Sequence, residues 1–513
     1  MRHHPFLAVI FLFVLSGPLS VWAQNEIPAQ STRNDPYRPL FHYTPPSGWI
    51  NDPNGLVYFK GVWHLGIQAG WPRTWGHATS TDLIHWKEQP TMLYPDELGD
   101  MWSGSAAVDR FDTTGFFSGK PGLVAAFTAW GPSDIEPKKQ RVGLAFSRDD
   151  GNTWEKFSGN PVLEDKSLLD FRDPKIFWHE PTHRWIAVVT VGNAMRIYSA
   201  PDLKNWRRES TFAENMLEET VAWECPDLFP ITTGGSRPVT KWVLLASYVS
   251  QKIFSKPPVF GACREVYFIG DFDGKTFHPD PGSEQPLKCA YGDTYATVTW
   301  NDVPASDGRR VAIGWMNHWG YAKLVPTESW QGALTLPRIL TLKKEKDGGF
   351  RLRQNPTKEL TALRGKGTEL KRIKLKSGTH SLKGLAADTG ELIATFDIGA
   401  ASEVGLKVRQ GTGNETLIGY DAISNEIFID RSRSGIVDFH EHFKDRLTAP
   451  LETSHGRLKL QVILDKSSVE VFAEDGAVYL AAVIFPDEED RNIAAYSKGS
   501  GASLNSIQLF PQT

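Results

Sequence analysis

The sequence predicts an all-β protein, a five-bladed β-propeller followed by a C-terminal β-sandwich. Three observations carry this. Strand-length apolar runs bounded by turn residues recur along the chain, and long helical periodicity is absent. A turn containing Asp and then an aromatic residue recurs at Ser80–Trp86, Ser147–Trp154, Ser199–Trp206 and Gly270–Phe277. A second repeated element lies between these turns. It is a hairpin that often opens on an acidic turn and ends in an apolar strand, at Asp52–Gln68, Asp173–Val191, Asp227–Tyr248 and Asp293–Trp315, with a weaker copy at Ser103–Trp130. About five units at a spacing of roughly 50 to 70 residues, each with about four short strands, are the signature of a propeller.

The chain opens on a segment that reads as a secretory signal over residues 1–23. Arg2, His3 and His4 give a polar start, Phe6–Leu15 is an apolar run too short to span a bilayer, and Val21-Trp22-Ala23 ends at a small residue. Residues 24–342 then hold the propeller. A Lys-rich stretch with glycines follows, and Asn355–Leu360 suggests a short helix, so 343–376 reads as a linker. Residues 377–513 show alternating strands without the Asp turns, which reads as a β-sandwich.

Composition narrows the function. The 513 residues carry a net charge of -4 with both signs mixed, so no basic stripe calls for nucleic acid. No later run is long enough for a membrane span. Three cysteines, Cys225, Cys263 and Cys289, are too few and odd in number for a disulfide framework. Aromatic residues make up 12%, with 18 Trp. That suits sugars, whose C–H faces pack on indoles, and it equally suits a β-rich chain.

In a propeller the first strand of each blade lines the central channel, so acidic residues at equivalent places converge. Three candidates qualify: Asp52 in Trp49-Ile50-Asn51-Asp52-Pro53-Asn54-Gly55, Asp173 in Phe171-Arg172-Asp173-Pro174, and Glu224 in Trp223-Glu224-Cys225-Pro226-Asp227. Each has Pro within two residues, and Pro favours an extended residue before it, which would aim a carboxylate into the channel. Converging carboxylates are the equipment of glycoside hydrolysis, in which one attacks or stabilises the anomeric carbon and another protonates the leaving oxygen. Mutual repulsion raises one pKa and keeps the acid protonated. Asp227 reads instead as a turn cap.

These motifs resemble glycoside hydrolase family 32, the invertases, levanases, inulinases and related fructosyltransferases. The likeness extends through Trp102-Ser103-Gly104-Ser105, Gly314–Trp319, Val325-Pro326-Thr327 with Trp330, Leu336-Pro337-Arg338, Asp430–Gly435 and Asp465–Phe472. The resemblance implies a retaining double displacement with Asp52 as nucleophile and Glu224 as acid/base. It implies that Asp173 holds sugar hydroxyls and stabilises the transition state, with Arg172 orienting its neighbours. Asn51, Gln68, Trp75, Trp102, Ser103, Trp315 and Trp319 match sugar-holding positions. Trp315 and Trp319, read as lying on one strand, would face the same way. No metal and no cofactor is implied.

The signal segment implies a secreted enzyme, extracellular or periplasmic, and the resemblance implies that its partner is fructan (levan or inulin) or sucrose. The reading is an exo-acting hydrolase of terminal β-fructosyl linkages. Fructosyl transfer and endo cleavage stay open as alternatives, as does the oligomeric state. One departure bears on this. The family places aromatic residues before the Gln and Asn-Pro after it, whereas this chain has His64-Leu65-Gly66-Ile67-Gln68-Ala69-Gly70-Trp71 and a short loop to Trp75. The leaving-group side of the pocket is then either more open or refilled by Trp71. Among rivals, a sialidase would need an arginine triad and a sixth blade. An inverting arabinanase-type enzyme would need more widely separated carboxylates. A non-catalytic sugar-binding propeller would have no use for all three acids.

Overall fold

The computed structural model describes residues 35–132, 138–218, 221–250, 253 and 263–512. The expected signal segment lies outside them. The expected propeller and sandwich are both present among the described residues. Five sheets form the blades, each built on four antiparallel strands that meander outward in chain order, and in the first Trp330–Gln331 adds a short parallel pair to Gly48–Trp49. Their innermost strands are Gly48–Phe59, Asp100–Asp109, Arg172–His179, Val221–Thr232 and Tyr295–Thr299.

The repeated Asp turns close the outer hairpin of the first four blades. Asp82 accepts backbone N–H bonds from Ile84 and His85 at 3.0 and 2.8 Å, Asp202 from Lys204 and Asn205 at 3.0 and 2.8 Å, and Asp273 from Lys275 and Thr276 at 2.8 and 2.7 Å. Asp149 does the same for Thr153 at 2.9 Å. A carboxylate that satisfies the N–H groups of a tight turn makes that turn the preferred local structure. The aromatic residue that follows packs beneath it; Trp86, for example, stacks on Trp300 of the last blade with centroids 6.1 Å apart.

The ring closes between blades one and five. Asn301 donates to the Leu56 carbonyl at 3.1 Å and returns its own carbonyl to Tyr58 at 3.0 Å. Asp227 does not cap a turn. It is fully buried, pairs with Lys175 at 2.9 Å and accepts from Thr299 N at 2.5 Å, so it ties three inner strands together deep in the channel.

The stretch expected as a linker over 343–376 is largely strand. Arg338–Lys344 and Phe350–Pro356 form the outer hairpin of blade five, and the Lys- and Gly-containing stretch is its turn, with Glu345 N bonded to Gly349 O at 2.8 Å. A short 3-10 helix, Lys358–Leu363, follows, and Thr368–Leu375 already belongs to the sandwich. Seven- and six-stranded sheets enclose the sandwich core, which includes Phe396, Leu406, Ile429, Val462, Val471 and Leu504.

The two domains are joined by buried ionic clusters. The His42 ring bridges Asp465 and Glu470 at 2.8 Å each, and Asp465 also accepts the N–H groups of Leu40, Phe41 and His42. Asp293 pairs with Arg431 and accepts from Tyr321. Each charge has a partner and further hydrogen bonds, without which burial would cost several kcal/mol per ion.

Candidate active site

The inner strands of blades three, four and five share a device. Asp173, Cys225 and Ala296 sit at φ 57, 47 and 55, and the strand register shifts at each of these places. These are bulges, which re-aim side chains beside active sites. The expectation that Pro holds the preceding residue extended therefore fails at Asp173 and Cys225, which adopt the left-handed region before Pro174 and Pro226. Each such residue costs on the order of 1–3 kcal/mol. Each is compensated by a bond to the preceding blade: Asp173 N to Thr128 Oγ1 at 2.8 Å, Cys225 N to Asp173 Oδ2 at 3.0 Å, and Ala296 N to Ser247 Oγ at 3.1 Å.

At Asp52 the backbone is supported from below. Gly55 sits at φ 56, and a Cβ there would lie 2.9 Å from the Trp75 ring. Trp75 therefore props the Asp-Pro-Asn-Gly segment. It is fully buried, and its indole N–H donates to the Trp102 carbonyl at 2.9 Å. It lies on the third strand of its blade, paired with Gln68 across the hairpin.

Above this base the polar side chains interlock. Ser103 Oγ donates to Asp52 Oδ2 at 2.6 Å and Asn51 Nδ2 to Asp52 Oδ1 at 2.9 Å. Gln68 accepts from Asn51 at 2.8 Å and donates to Ser103 at 3.1 Å, closing a ring of side chains around the carboxylate. Two residues the sequence reading passed over complete it: Arg73 Nη1 and Trp49 Nε1 both donate to Asn51 Oδ1, at 2.7 and 2.9 Å.

Glu224 faces this cluster from blade four. Arg172 Nη2 donates to its Oε1 at 3.2 Å, and Tyr295 Oη donates to its Oε2 at 2.5 Å. Tyr295 is the third residue missed by the sequence reading. Arg172 also lies 3.7 Å from Asp173 and pairs with Asp170. The Cys225 sulfur lies 3.6 Å from Asp52 Oδ2 and 3.9 Å from Asp173 Oδ2, so these two acids flank one thiol.

Burial raises the Glu224 carboxyl above the ordinary range, and the Asp52 charge adds to this against the opposing pull of Arg172 and Tyr295. Burial likewise pushes Asp173 up to about 7, with Arg172 pulling down and Glu224 and Asp52 pushing up. Cys225, Cys263 and Cys289 are buried and unpaired, and burial raises all three thiols. Among the described residues no group of three or more His, Cys, Asp or Glu is arranged to hold a metal ion.

The mouth is aromatic. Trp102, half-buried, packs on Trp130 with centroids 4.8 Å apart. Trp315 and Trp319 do not share a strand, because the strand ends at Met316 and Trp319 lies in the turn beyond. Their rings still meet at 4.7 Å, and Trp49 stacks on Trp319 at 6.2 Å. Trp315 is fully buried beneath them, which leaves the half-buried Trp49 and Trp319 to face the opening.

A propeller whose channel mouth gathers three carboxylates within a shell of hydroxyls, amides and indoles is the architecture of a glycoside hydrolase. Comparison with known proteins agrees. The family described as "Glycosyl hydrolases family 32 N-terminal domain" matches residues 42–356, and its C-terminal counterpart matches 359–511. The chain belongs to glycoside hydrolase family 32. It is 40% identical over 516 residues to a levanase of Bacillus subtilis (strain 168), covering 98% of this chain and 74% of the relative. The crystal structure of exo-inulinase from Aspergillus awamori superposes with a TM-score of 0.83 at 30% identity, covering 93% of this chain and 98% of that one. A fructofuranosidase from Schwanniomyces occidentalis, complexed with fructose, gives 0.81 at 29% identity over 93% and 98% of the two chains. Among the described residues no helix is long and apolar enough to cross a membrane.

Proposed function

We propose that this protein is a secreted, retaining β-fructofuranosidase that releases terminal fructose from levan, inulin and sucrose. The levanase, exo-inulinase and fructofuranosidase relatives support the substrate class. The observation that carries the mechanism is the convergence at Cys225. Its sulfur is within 3.9 Å of both Asp52 and Asp173, and Glu224 precedes it in the chain.

In the proposed reaction the fructosyl unit lies over Asp52. Ser103 and Asn51 fix the plane of the Asp52 carboxylate, one donor on each oxygen, so that it meets the anomeric carbon. Glu224, whose carboxyl is raised above the ordinary range by desolvation, is the acid that gives its proton to the leaving oxygen as that bond breaks. The fructosyl group passes to Asp52. Glu224, now a carboxylate, takes a proton from water, and the resulting hydroxide equivalent attacks the anomeric carbon and frees Asp52. Asp173, gripped by Arg172 and by the Cys225 N–H, presents an oxygen to the sugar hydroxyls, where it stabilises the oxocarbenium-like transition state.

The test is a time course on levan, inulin and sucrose resolved by chromatography. Free fructose should dominate from the earliest points on at least one polymer. Early oligosaccharides would show endo cleavage, and a cyclic difructose would show intramolecular transfer; either overturns the exo-hydrolase reading.

A further inference from the structure

The loop that departs from the family pattern is a four-residue connection, Gly70-Trp71-Pro72-Arg73, between Val62–Ala69 and Thr74–Ser80. Its base is fixed. Ala69 faces Thr74 across the hairpin, Gly70 N donates to the Trp49 carbonyl at 3.0 Å, and Met101 N donates to the Arg73 carbonyl at 3.0 Å. A loop this short and this tied offers little wall around the mouth. What it does offer is Trp71, whose side of the turn is open to solvent.

Trp71 is 70% exposed, and no other tryptophan among the described residues falls in the exposed class. A single exposed apolar residue is ordinary in itself. This one is tied to the site. The Arg73 guanidinium lies 5.0 Å from the centre of its ring, and the same guanidinium donates to Asn51, which holds the Asp52 carboxylate. Arg73 is buried, so the cation is held in place rather than swinging in water, and the indole resting on it is oriented. The line Trp71, Arg73, Asn51, Asp52 runs from the rim of the mouth to the floor of the pocket.

An oriented indole with an open face at the rim of a sugar pocket is a stacking surface for a sugar ring. The fructosyl unit over Asp52 occupies the floor, so a unit at the rim belongs to the leaving-group chain. We propose that Trp71 is a specificity-determining residue that stacks a sugar unit of that chain beyond the one bonded to the cleaved fructose. It thereby favours fructo-oligosaccharides and polymers over sucrose, whose leaving group is a single glucose. This rests on the fructoside reading above.

The experiment compares the unaltered protein, Trp71→Ala and Trp71→Phe on sucrose and on an inulin-type oligosaccharide of four or five units. Trp71→Ala should lose about tenfold in kcat/KM on the oligosaccharide, mainly through KM, with sucrose within about twofold. Trp71→Phe should recover most of the loss, and both variants should melt with the parent. Equal losses on the two substrates, a loss on sucrose alone, or no loss on either would overturn the assignment. If the unaltered protein releases fructose from neither substrate, the fructoside reading itself fails; if it does so and Trp71→Ala matches it, only the Trp71 assignment fails.

Discussion

Tyr295 donates its hydroxyl hydrogen to Glu224 Oε2 at 2.5 Å, from the innermost strand of the neighbouring blade. The bond stabilises the carboxylate form of Glu224 and so opposes the burial that raises its pKa. Removing it should let the pKa rise further. Activity requires protonated Glu224 in the first step, so the alkaline limb of the kcat/KM profile should move to higher pH in Tyr295→Phe. The rate at the optimum should fall about tenfold as the acid loses its anchor. An alkaline limb that stays in place or moves toward acid pH would mean that Glu224 is not the group titrating there.

Asp52→Ala should abolish turnover and leave the fold intact, since the covalent route needs this carboxylate. A loss of kcat of at least about a thousandfold with an unchanged melting curve is expected. Retention of a tenth of the activity would remove Asp52 from the nucleophile's role.

Glu224→Gln separates proton donation from positioning. Protonation matters least when the leaving group is already acidic. The variant should therefore lose far more activity on sucrose or fructan than on an activated aryl fructoside. Equal losses on both would mean that Glu224 only positions the substrate.

The domain junction has its own pH signature. Burial alone would lower the His42 imidazole, but hydrogen bonds to Asp465 and Glu470 and the charges of both outweigh it and raise the group to about 9. Relative to an unfolded value near 6.5, the folded state binds this proton more tightly. Its contribution, on the order of 3 kcal/mol, is fully present below about pH 6.5 and is lost as pH rises through about 9. Melting temperatures of the parent and His42→Gln across this interval provide the check. The parent should lose stability over the window, and the variant should be less stable at neutral pH and flatter. Parallel curves would show that the imidazole is not charged in the folded protein.

The propeller was legible because its signal is local. Asp82, Asp149, Asp202 and Asp273 bond backbone groups two to four residues on, so each turn is written in a few consecutive residues. The three acids were legible because Pro, Trp, Arg and Asn cluster around them in the chain. The residues that serve them from a distance were not. Tyr295 is 71 residues from Glu224, and Arg73 is 22 from Asn51; nothing beside either one announces the contact. Trp49 did leave a signal, since its indole bonds Asn51 two residues away within the same motif. Trp75 and Trp315 are fully buried, and in a β-rich chain a tryptophan fills the space between blades as readily as it faces a sugar, so sequence alone does not separate the two roles. The border between the domains was misjudged because the residues that make a tight turn between two outer strands also make a linker.

A covalent fructosyl intermediate on Asp52 leaves its mark in the configuration of the product. Two successive displacements at the anomeric carbon restore its original configuration. Fructose carries no anomeric hydrogen and mutarotates after release, so the intermediate is best intercepted with methanol, which locks the configuration into a stable glycoside. Turnover of sucrose or fructan in dilute methanol should yield methyl β-fructofuranoside. The α anomer would mean a single inverting displacement by the acceptor, and Asp52 would not be the nucleophile.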